Sequence, residues 1–237
     1  SRVITPDEKK VIAYHEAGHT VAGYFSPDAD IPFKVTIVSR GMAGGFTRSL
    51  PVDDRQLQDR SYYEAMMTMA LGGHVSEELT FGEMTTGAHD DIGKVTQIAR
   101  NMVTQWGMSD LMGPRTFGKR QSMVFLGRDI SEERDYSEKT AEQIDSEVKR
   151  LIEEAHVRCK SILIDKKEVL ARLAERLIEV ETLEGEELLK ILGPAEGRDN
   201  PADGFASDPS ATSGSSVKDE PRDTKSSQGK PGLAWGS

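Results

Sequence analysis

The residues best suited to chemistry in this sequence lie near its start, in the segment HEAGH at 15–19. His15 and His19 are four residues apart, so on an α-helix they share one face and can present two imidazoles to one zinc ion. Glu16 lies beside the first imidazole, where it can take a proton from zinc-bound water and deliver it to a leaving amine. We expect the small residues Ala17 and Gly18 to leave room for metal and substrate. The pattern predicts hydrolytic zinc chemistry.

The alternative is a helix that carries two unrelated histidines and no metal. Ordinary residue frequencies produce this pattern in about one chain in a hundred of this size. The flanking residues are apolar, which places the pair in or beside the core: Val11, Ile12, Ala13, Val21 and Ala22. Two imidazoles and a carboxylate are costly there unless something compensates them. The flanks therefore favour a metal site.

A catalytic zinc needs a third protein ligand and leaves its fourth position to water. No downstream histidine follows the spacing of the extended metalloprotease motifs. Acidic pairs occur at Glu77-Glu78 and at Asp90-Asp91, the second in the first turn of a predicted helix. A carboxylate in that turn is also stabilised by the helix N-terminus alone. The residue pattern therefore leaves all four acidic side chains open as the third ligand.

The elements that must position these residues are mostly helical. Thr5 and Glu8 form a capping-box pair around Pro6, which predicts a helix from Thr5 to about Phe25. Two β-rich segments, 33–39 and 46–50, flank a glycine-rich turn. Further helices are predicted at 61–71, 74–79 after a break at Gly72-Gly73, 88–106, 137–163, 170–178 and 184–192. The predicted fold is mainly α with a small N-terminal β-sheet, an α+β class.

Composition excludes several functional classes. The formal net charge of −10 argues against nucleic acid or an anionic membrane surface as the main partner. No apolar run approaches the roughly 18 to 20 residues that a membrane span needs. The single cysteine, Cys159, excludes an intrachain disulfide and a cysteine-rich zinc site. It falls on a predicted apolar stripe, so we expect a small core residue rather than a nucleophile.

The composition changes after Pro194. Residues 196–237 contain large apolar side chains only at Phe205, Val217, Leu233 and Trp235. Such a segment cannot bury enough surface to offset its ordering entropy. We therefore expect one ordered domain over 1–194 and a disordered acidic and polar tail over 195–237.

Several blocks of the sequence resemble the peptidase domain of FtsH-type proteases, which are membrane-anchored, ATP-dependent zinc enzymes. The blocks are AYHEAGH, RGMAGGFT, LGGHVSEELTFGEMTTGAHDD, ARNMVTQWGMSDLMGP and RDYSEKTAEQIDSEV, in order from about Ser1 to Leu192. The resemblance implies a zinc endopeptidase domain that binds one zinc ion. It also implies that the third ligand is the aspartate after the TTGA loop, which is Asp91.

The resemblance implies two further features of the site. The early β-strand should be an edge to which unfolded substrate adds as another strand, with little selection among side chains. Glu77 resembles a family position close to the zinc, where it would hold a histidine ring in the required tautomer. A solvated carboxylate on a helix surface is an equal alternative for Glu77.

Partners and location follow from the resemblance alone. It implies a homo-hexamer that degrades unfolded or misassembled membrane and soluble proteins, and no nucleic-acid partner. The sequence has no GxxxxGK[ST] phosphate loop, so we expect the ATPase module, its ATP and the transmembrane anchor to lie outside this chain. The implied location is the bacterial inner membrane, facing the cytoplasm, with the mitochondrial inner membrane or the thylakoid as alternatives.

Some residues depart from the family pattern. His74 stands where arginine is usual, Asp90 where asparagine is common, and AGG replaces ALG after the first strand. We expect these changes to affect substrate preference or subunit contacts rather than the chemistry. His74, His89 and His156 are expected not to be ligands, although His89 is only two residues from Asp91. Two rival functions remain: an inactive helical module that serves as an oligomerisation scaffold, and a zinc enzyme acting on small molecules.

Overall fold

The computed structural model describes residues 4–38, 44–51, 57–120 and 132–197. Within these ranges the helices are α1 (Pro6–Tyr24), α2 (Arg60–Ala70), α3 (Gly72–Phe81), α4 (His89–Thr104), α5 (Glu138–Asp165), α6 (Lys167–Val180) and α7 (Gly185–Leu192). The strands are β1 (Ile31–Thr36), β2 (Phe46–Leu50), β3 (Lys119–Arg120), β4 (Glu132–Glu133) and β5 (Thr182–Glu184). The predicted mainly α fold with a small sheet is confirmed.

The first helix, α1, is the centre of the fold. It begins as predicted, with the Glu8 N–H donating to Thr5 Oγ1 at 3.2 Å and the Thr5 N–H donating to Glu8 Oε2 at 3.0 Å. From His15 to Tyr24 every residue is buried. The helices α2, α3 and α6 and the strand β1 pack around it. The segment HEAGH therefore lies in the interior rather than on an amphipathic surface helix.

Contact between α1 and α3 depends on two glycines. A Cβ atom on Gly18 would lie 2.2 Å from the carbonyl oxygen of Gly72, and one on Gly72 would lie 2.4 Å from that of Gly18. Ala17 is fully buried as well. The expectation that Gly18 leaves room for metal and substrate is therefore wrong, because its small size allows two helix backbones to touch. The predicted break at Gly72-Gly73 falls at Leu71, and Gly72 begins α3.

The main sheet has the order β2-β1-β5, with both pairings antiparallel. Val35 of β1 lies opposite Thr47 on one side and Leu183 on the other. The expectation that the early strand is an edge is therefore wrong for β1, which is the middle strand, and within the described residues β2 is an outer strand. Sequence analysis missed β5, having placed Glu184 in the following helix. The sheet is consequently formed from both ends of the domain.

The C-terminal helices complete the core. The predicted stripe of α5 is buried, including Ile144, Leu151 and Cys159. Burial raises the pKa of the Cys159 thiol to about 12, which confirms a packing residue rather than a nucleophile. After α7, Ala195 still packs against the core. Of the predicted tail, residues 195–197 are described and 198–237 lie outside the described residues.

Across the described ranges, none of the helices combines enough length with enough apolar character to cross a bilayer.

Candidate metal centre and active site

Three side chains from two helices converge next to β2. The Nε2 atoms of His15 and His19, both on α1, are 3.0 Å apart. Oδ2 of Asp91, in the first turn of α4, lies 3.3 Å from the first of these nitrogens and 3.1 Å from the second. Within the described part of the chain, this is the one cluster of at least three such side chains placed to hold a metal ion.

Each imidazole is oriented by an acceptor on its other nitrogen. His15 Nδ1 lies 2.7 Å from Glu77 Oε1, and His19 Nδ1 lies 2.9 Å from the carbonyl oxygen of Met69. A carboxylate and a carbonyl only accept, so each Nδ1 carries a hydrogen, and in the neutral form of each ring the lone pair is on Nε2. The Gly73 N–H is 3.4 Å from His19 Nδ1, and the shorter contact with Met69 decides the tautomer. Three electron-pair donors therefore face one point.

The electrostatics of this cluster favour a bound cation. Burial alone would lower the pKa of His15, but its hydrogen bonds with Asp91 and Glu77 outweigh burial and raise that pKa to about 9. Burial likewise opposes ionisation of Asp91, yet its hydrogen bonds with His15 and His19 hold its pKa below the usual range. The site stabilises a positive charge among the three ligand atoms, whether that charge is a proton or a metal ion.

The donor set fits zinc. Tetrahedral ligands at about 2.0 to 2.1 Å from a zinc ion are separated from one another by about 3.3 to 3.4 Å. The three observed separations of 3.0, 3.1 and 3.3 Å are close to that spacing. Two imidazole nitrogens and one carboxylate oxygen also match the ligands of catalytic rather than structural zinc. Three protein ligands leave a fourth position free for water.

Glu77 contacts the cluster from behind His15. Its side chain is 1% exposed, so it is not a solvated surface carboxylate. Besides accepting from His15, it accepts the Thr85 N–H at Oε2 (2.6 Å) and lies 3.2 Å from Thr85 Oγ1. Burial raises the pKa of Glu77, but these hydrogen bonds outweigh burial and lower it overall. Glu77 is therefore an ionised acceptor.

Glu16 lies on the cleft side of α1 and is 6% exposed. Thr47 Oγ1 of β2 is 3.2 Å from Glu16 Oε2 and can donate to it. A Cβ atom on Gly45 would lie 2.8 Å from Glu16 Cγ, so only glycine leaves space for this side chain. Burial raises the pKa of Glu16, with His19 and His15 opposing the rise. A carboxylate with a raised pKa is suited to general acid–base chemistry.

The other candidates lie elsewhere. Glu78 faces away from the cluster, with its carboxylate 2.9 Å from Lys160 Nζ and 3.4 Å from His156 Nε2. The rings of His74 and His156 are 6.5 Å apart between centroids, beside α5. Asp90 and His89 are exposed and line the cleft. Among the acidic candidates, the structure brings Asp91 to both imidazoles and Glu77 to the back of one.

The cluster opens into a cleft of about 660 Å³. One wall is apolar and comes from α1 and α2: Val11, Ile12, Met66, Met69 and Ala70. Gly44, Gly45, Phe46 and Thr47 form another wall, which includes the start of the edge strand β2. Thr85, Thr86 and Gly87, which precede α4, also line the cleft. An extended polypeptide can therefore approach the cluster along a strand edge.

Sequence reasoning missed four residues of this site. Thr47 and Thr85 contact the carboxylates of Glu16 and Glu77, and Gly45 makes room for Glu16. Gly73 packs against the ring of His15, because a Cβ atom there would lie 2.4 Å from His15 Cε1. All four are in the segments GGFT and GGHVSEELTFGEMTTG, which carried the resemblance. Their spacing alone assigns them no chemistry.

Comparison with known proteins gives the family. Peptidase family M41 matches residues 2–191, which include the whole cluster and α1 to nearly the end of α7. The chain belongs to peptidase family M41. The family predicted from the sequence is thereby confirmed. The M41 match includes the strands from both ends of the domain that form the main sheet.

Curated relatives of this M41 chain carry consistent names. It is 50% identical over 192 residues to the ATP-dependent zinc metalloprotease FtsH 3 of Symbiobacterium thermophilum, covering 81% of this chain and 31% of that protein. It is 48% identical over 197 residues to the FtsH of Kosmotoga olearia (83% and 30%), and 46% identical over 193 residues to that of Bacillus subtilis (81% and 30%). The chain thus spans under a third of these relatives.

Proposed function

We propose that residues 1–194 form the zinc endopeptidase domain of an ATP-dependent protease. The convergence of two Nε2 lone pairs and a carboxylate oxygen on one point carries this proposal, because such a set is costly in a protein interior without a cation. Membership of a peptidase family supports the choice of peptide hydrolysis over other zinc chemistry.

His15, His19 and Asp91 are the proposed ligands of one zinc ion per chain. When bound there, zinc supplies Lewis acidity toward the scissile carbonyl and lowers the pKa of water at the open position toward about 7. Glu16 accepts the proton of the attacking water and returns it to the leaving amine. Burial raises the pKa of Glu16 and so increases its proton affinity, and the Thr47 hydroxyl can donate to its carboxylate. Glu77 keeps His15 in the tautomer that leaves Nε2 free.

The proposed substrate is an unfolded polypeptide that adds to β2, the outer strand of the main sheet within the described residues. Thr47 lies on that strand and also contacts Glu16, so a chain paired with β2 passes beside the base. Main-chain hydrogen bonds to an edge strand do not depend on side-chain identity, which suits broad specificity. The apolar wall with Met66 and Met69 accepts side chains of varied shape, because methionine is flexible.

The remaining proposals concern the whole protein. The names of the relatives include "ATP-dependent", and the proposed ATP use belongs to an ATPase module outside this chain. A homo-hexamer acting on misassembled membrane and soluble proteins, without nucleic acid, is the proposed assembly. Contact with a membrane would come through segments outside this chain. The proposed location is the bacterial inner membrane facing the cytoplasm, with mitochondrial inner membrane or thylakoid as alternatives.

An inactive oligomerisation scaffold is the rival reading. A scaffold gains nothing from a buried carboxylate at Glu16, whose pKa is raised by burial at a cost to the folded state. A zinc enzyme for small molecules is the other rival, and the strand edge beside the cleft argues against it.

Elemental analysis for zinc combined with casein hydrolysis tests the proposal on the full chain. We expect near-stoichiometric zinc in the wild type, loss of zinc and activity in His15→Ala and Asp91→Ala, and zinc without activity in Glu16→Gln. His89→Ala is the matched control for removing an imidazole, and we expect it to retain zinc. A folded wild type that takes up no added zinc overturns the proposal and favours the scaffold. Hydrolysis of small esters but not of casein favours the small-molecule enzyme.

A further inference from the structure

We propose that Thr85 is a positioning residue that links the turn preceding Asp91 to His15, acting through Glu77. This inference rests on the proposed zinc site. Thr85 lies between α3 and the short 3₁₀ turn Thr86–Ala88 that leads into α4. It touches neither imidazole in the contacts described above, so its effect on the metal centre must pass through the carboxylate.

Thr85 occupies both oxygens of Glu77. Its backbone N–H donates to Oε2 at 2.6 Å, and its hydroxyl donates to Oε1 at 3.2 Å. His15 Nδ1–H donates to the same Oε1 at 2.7 Å. With donors at both oxygens, the carboxylate has one favourable rotation, and that rotation directs Oε1 at the imidazole. Thr85 therefore fixes the orientation of the Glu77 carboxylate, which in turn determines the tautomer of His15.

The same hydroxyl also orders the turn on the other side. Gly87 N–H donates to Thr85 Oγ1 at 3.2 Å, which makes Thr85 the N-cap of the 3₁₀ turn. Asp91 lies four residues after Gly87, in the first turn of α4. One hydroxyl can donate to Glu77 and accept from Gly87 at once, since it has one hydrogen and two lone pairs. The turn before Asp91, the proposed third ligand, is thus linked through Thr85 to Glu77, the residue that orients His15.

This link matters because the ligands come from separate helices. His15 and His19 belong to α1, whereas α4 packs mainly against α2 and α5. The bridge from Gly87 through Thr85 and Glu77 to His15 connects the turn that leads into α4 with α1, by way of α3. Fixing their relative position lowers the reorganisation needed to bind metal. Thr85 is itself exposed, so its side chain contributes little to the packed core.

The test compares Thr85→Val with Thr85→Ser in the full-length chain. Valine has nearly the same shape but neither donates nor accepts, while serine keeps the hydroxyl. Zinc affinity is measured by competition with a chromophoric chelator, and the visible absorption spectrum of the Co²⁺-loaded protein reports ligand geometry. Thr96→Val removes a threonine hydroxyl within α4 that instead donates to the Ile92 carbonyl oxygen, and it serves as the matched control.

We expect Thr85→Val to weaken zinc binding about tenfold, at the lower end of effects seen for outer partners of metal ligands, because the Thr85 N–H remains. Thr85→Ser and Thr96→Val should stay within about twofold of wild type, and the Co²⁺ spectrum should change in Thr85→Val alone. Wild-type affinity in Thr85→Val, or equal weakening in Thr85→Ser, overturns the inference. So does a weakening matched by a lower urea midpoint of the metal-free protein, which indicates a purely structural role. Absence of zinc binding in the wild type instead overturns the proposed function.

Discussion

His15 and Glu77 are 62 residues apart in sequence, yet Nδ1 of the first lies 2.7 Å from Oε1 of the second in the protein interior. The HExxH spacing brings two imidazoles to one helix face, but it does not determine which nitrogen of each ring is free. For His15 that choice is made by α3, which supplies the carboxylate, and for His19 it is made by the Met69 carbonyl of α2. The chemistry proposed for α1 therefore depends on how α3 packs against it.

Glu77→Gln should weaken zinc binding by about 10- to 100-fold. An amide can accept from His15 only by turning its NH₂ group toward the Thr85 N–H, which now lies 2.6 Å from an oxygen. The side-chain NH₂ group of the variant and the Thr85 N–H, both hydrogen-bond donors, would then face each other. Glu78→Gln is the neighbouring control, since Glu78 pairs with Lys160 and His156 instead. Competition with a chelator measures both affinities, and equal affinities in the two variants would contradict the prediction.

Gly73→Ala should also weaken zinc binding, by at least about tenfold. The new methyl group would lie 2.4 to 2.6 Å from ring atoms of His15, so the imidazole must move away from its position. In Gly93→Ala, by contrast, the added methyl group meets no atom within 4 Å. Zinc content and casein hydrolysis should fall together in the first variant and stay unchanged in the second. Retention of full affinity by Gly73→Ala would refute the proposed contact.

Gly18→Ala should destabilise the fold itself. Its methyl group would lie 2.2 Å from the Gly72 carbonyl oxygen, and a backbone atom cannot turn aside as a side chain can. Overpacking of this kind costs about 1 to 3 kcal/mol and sometimes more. Urea unfolding of the metal-free protein measures the loss, with Gly93→Ala as the control for adding a methyl group to a helix. A loss below about 0.5 kcal/mol would show that the helices separate easily.

The thiol of Cys159 should not react with thiol reagents in the native protein at pH 8. It is fully buried, and burial raises its pKa to about 12, so very little thiolate forms. The same reagent should titrate it after unfolding in urea. Ser161→Cys places a second thiol on the exposed side of α5 and should react at once. Fast labelling of the wild type under native conditions would contradict the assigned packing of α5.

Stability should fall in acid partly through Glu147. Hydrogen bonds from Arg150 and Ser109 outweigh burial and lower the pKa of this carboxyl, so its contribution is complete above about pH 4.5 and is lost as the pH falls below that value. Glu147→Gln should cost about 1 to 3 kcal/mol at neutral pH and flatten the acid loss. The exposed Glu142→Gln is the control. The free energy of unfolding is measured as a function of pH above and below about 4.5. Parallel pH curves for wild type and Glu147→Gln would refute the prediction.

Local pattern was sufficient for α1 and its chemistry. The capping pair Thr5 and Glu8 places the helix start, and a four-residue spacing places His15 and His19 on one face. The proposed third ligand is 72 residues beyond His19, so helix periodicity gives no information about it, and Asp91 was reached only through the resemblance. Local pattern could therefore relate His15 to His19, which are close in sequence, but it could not relate either of them to the distant Asp91.

Two features were missed for a different reason. The strand β5 has three residues, too few for an alternating pattern to be distinguished from the start of a helix. Gly18 was expected to border the metal and substrate, but it contacts Gly72 of α3 instead. Sequence cannot distinguish the two roles, because small residues are suited to close helix packing and to open clefts alike. The contacts of Thr47 and Thr85 depend on tertiary structure, and a lone threonine has no signature in sequence.

The pairing of β1 with β5 has a consequence for how the protein is made. Thr36 and Thr182, whose hydroxyl oxygens are 2.7 Å apart, are separated by 146 residues. During synthesis the three proposed ligands emerge from the ribosome long before the last strand of the sheet behind the cleft does. Contacts of such long range form slowly and late in folding. Maturation of the metal centre is therefore expected to follow translation of the domain, and a nascent chain stalled before Thr182 should bind zinc poorly.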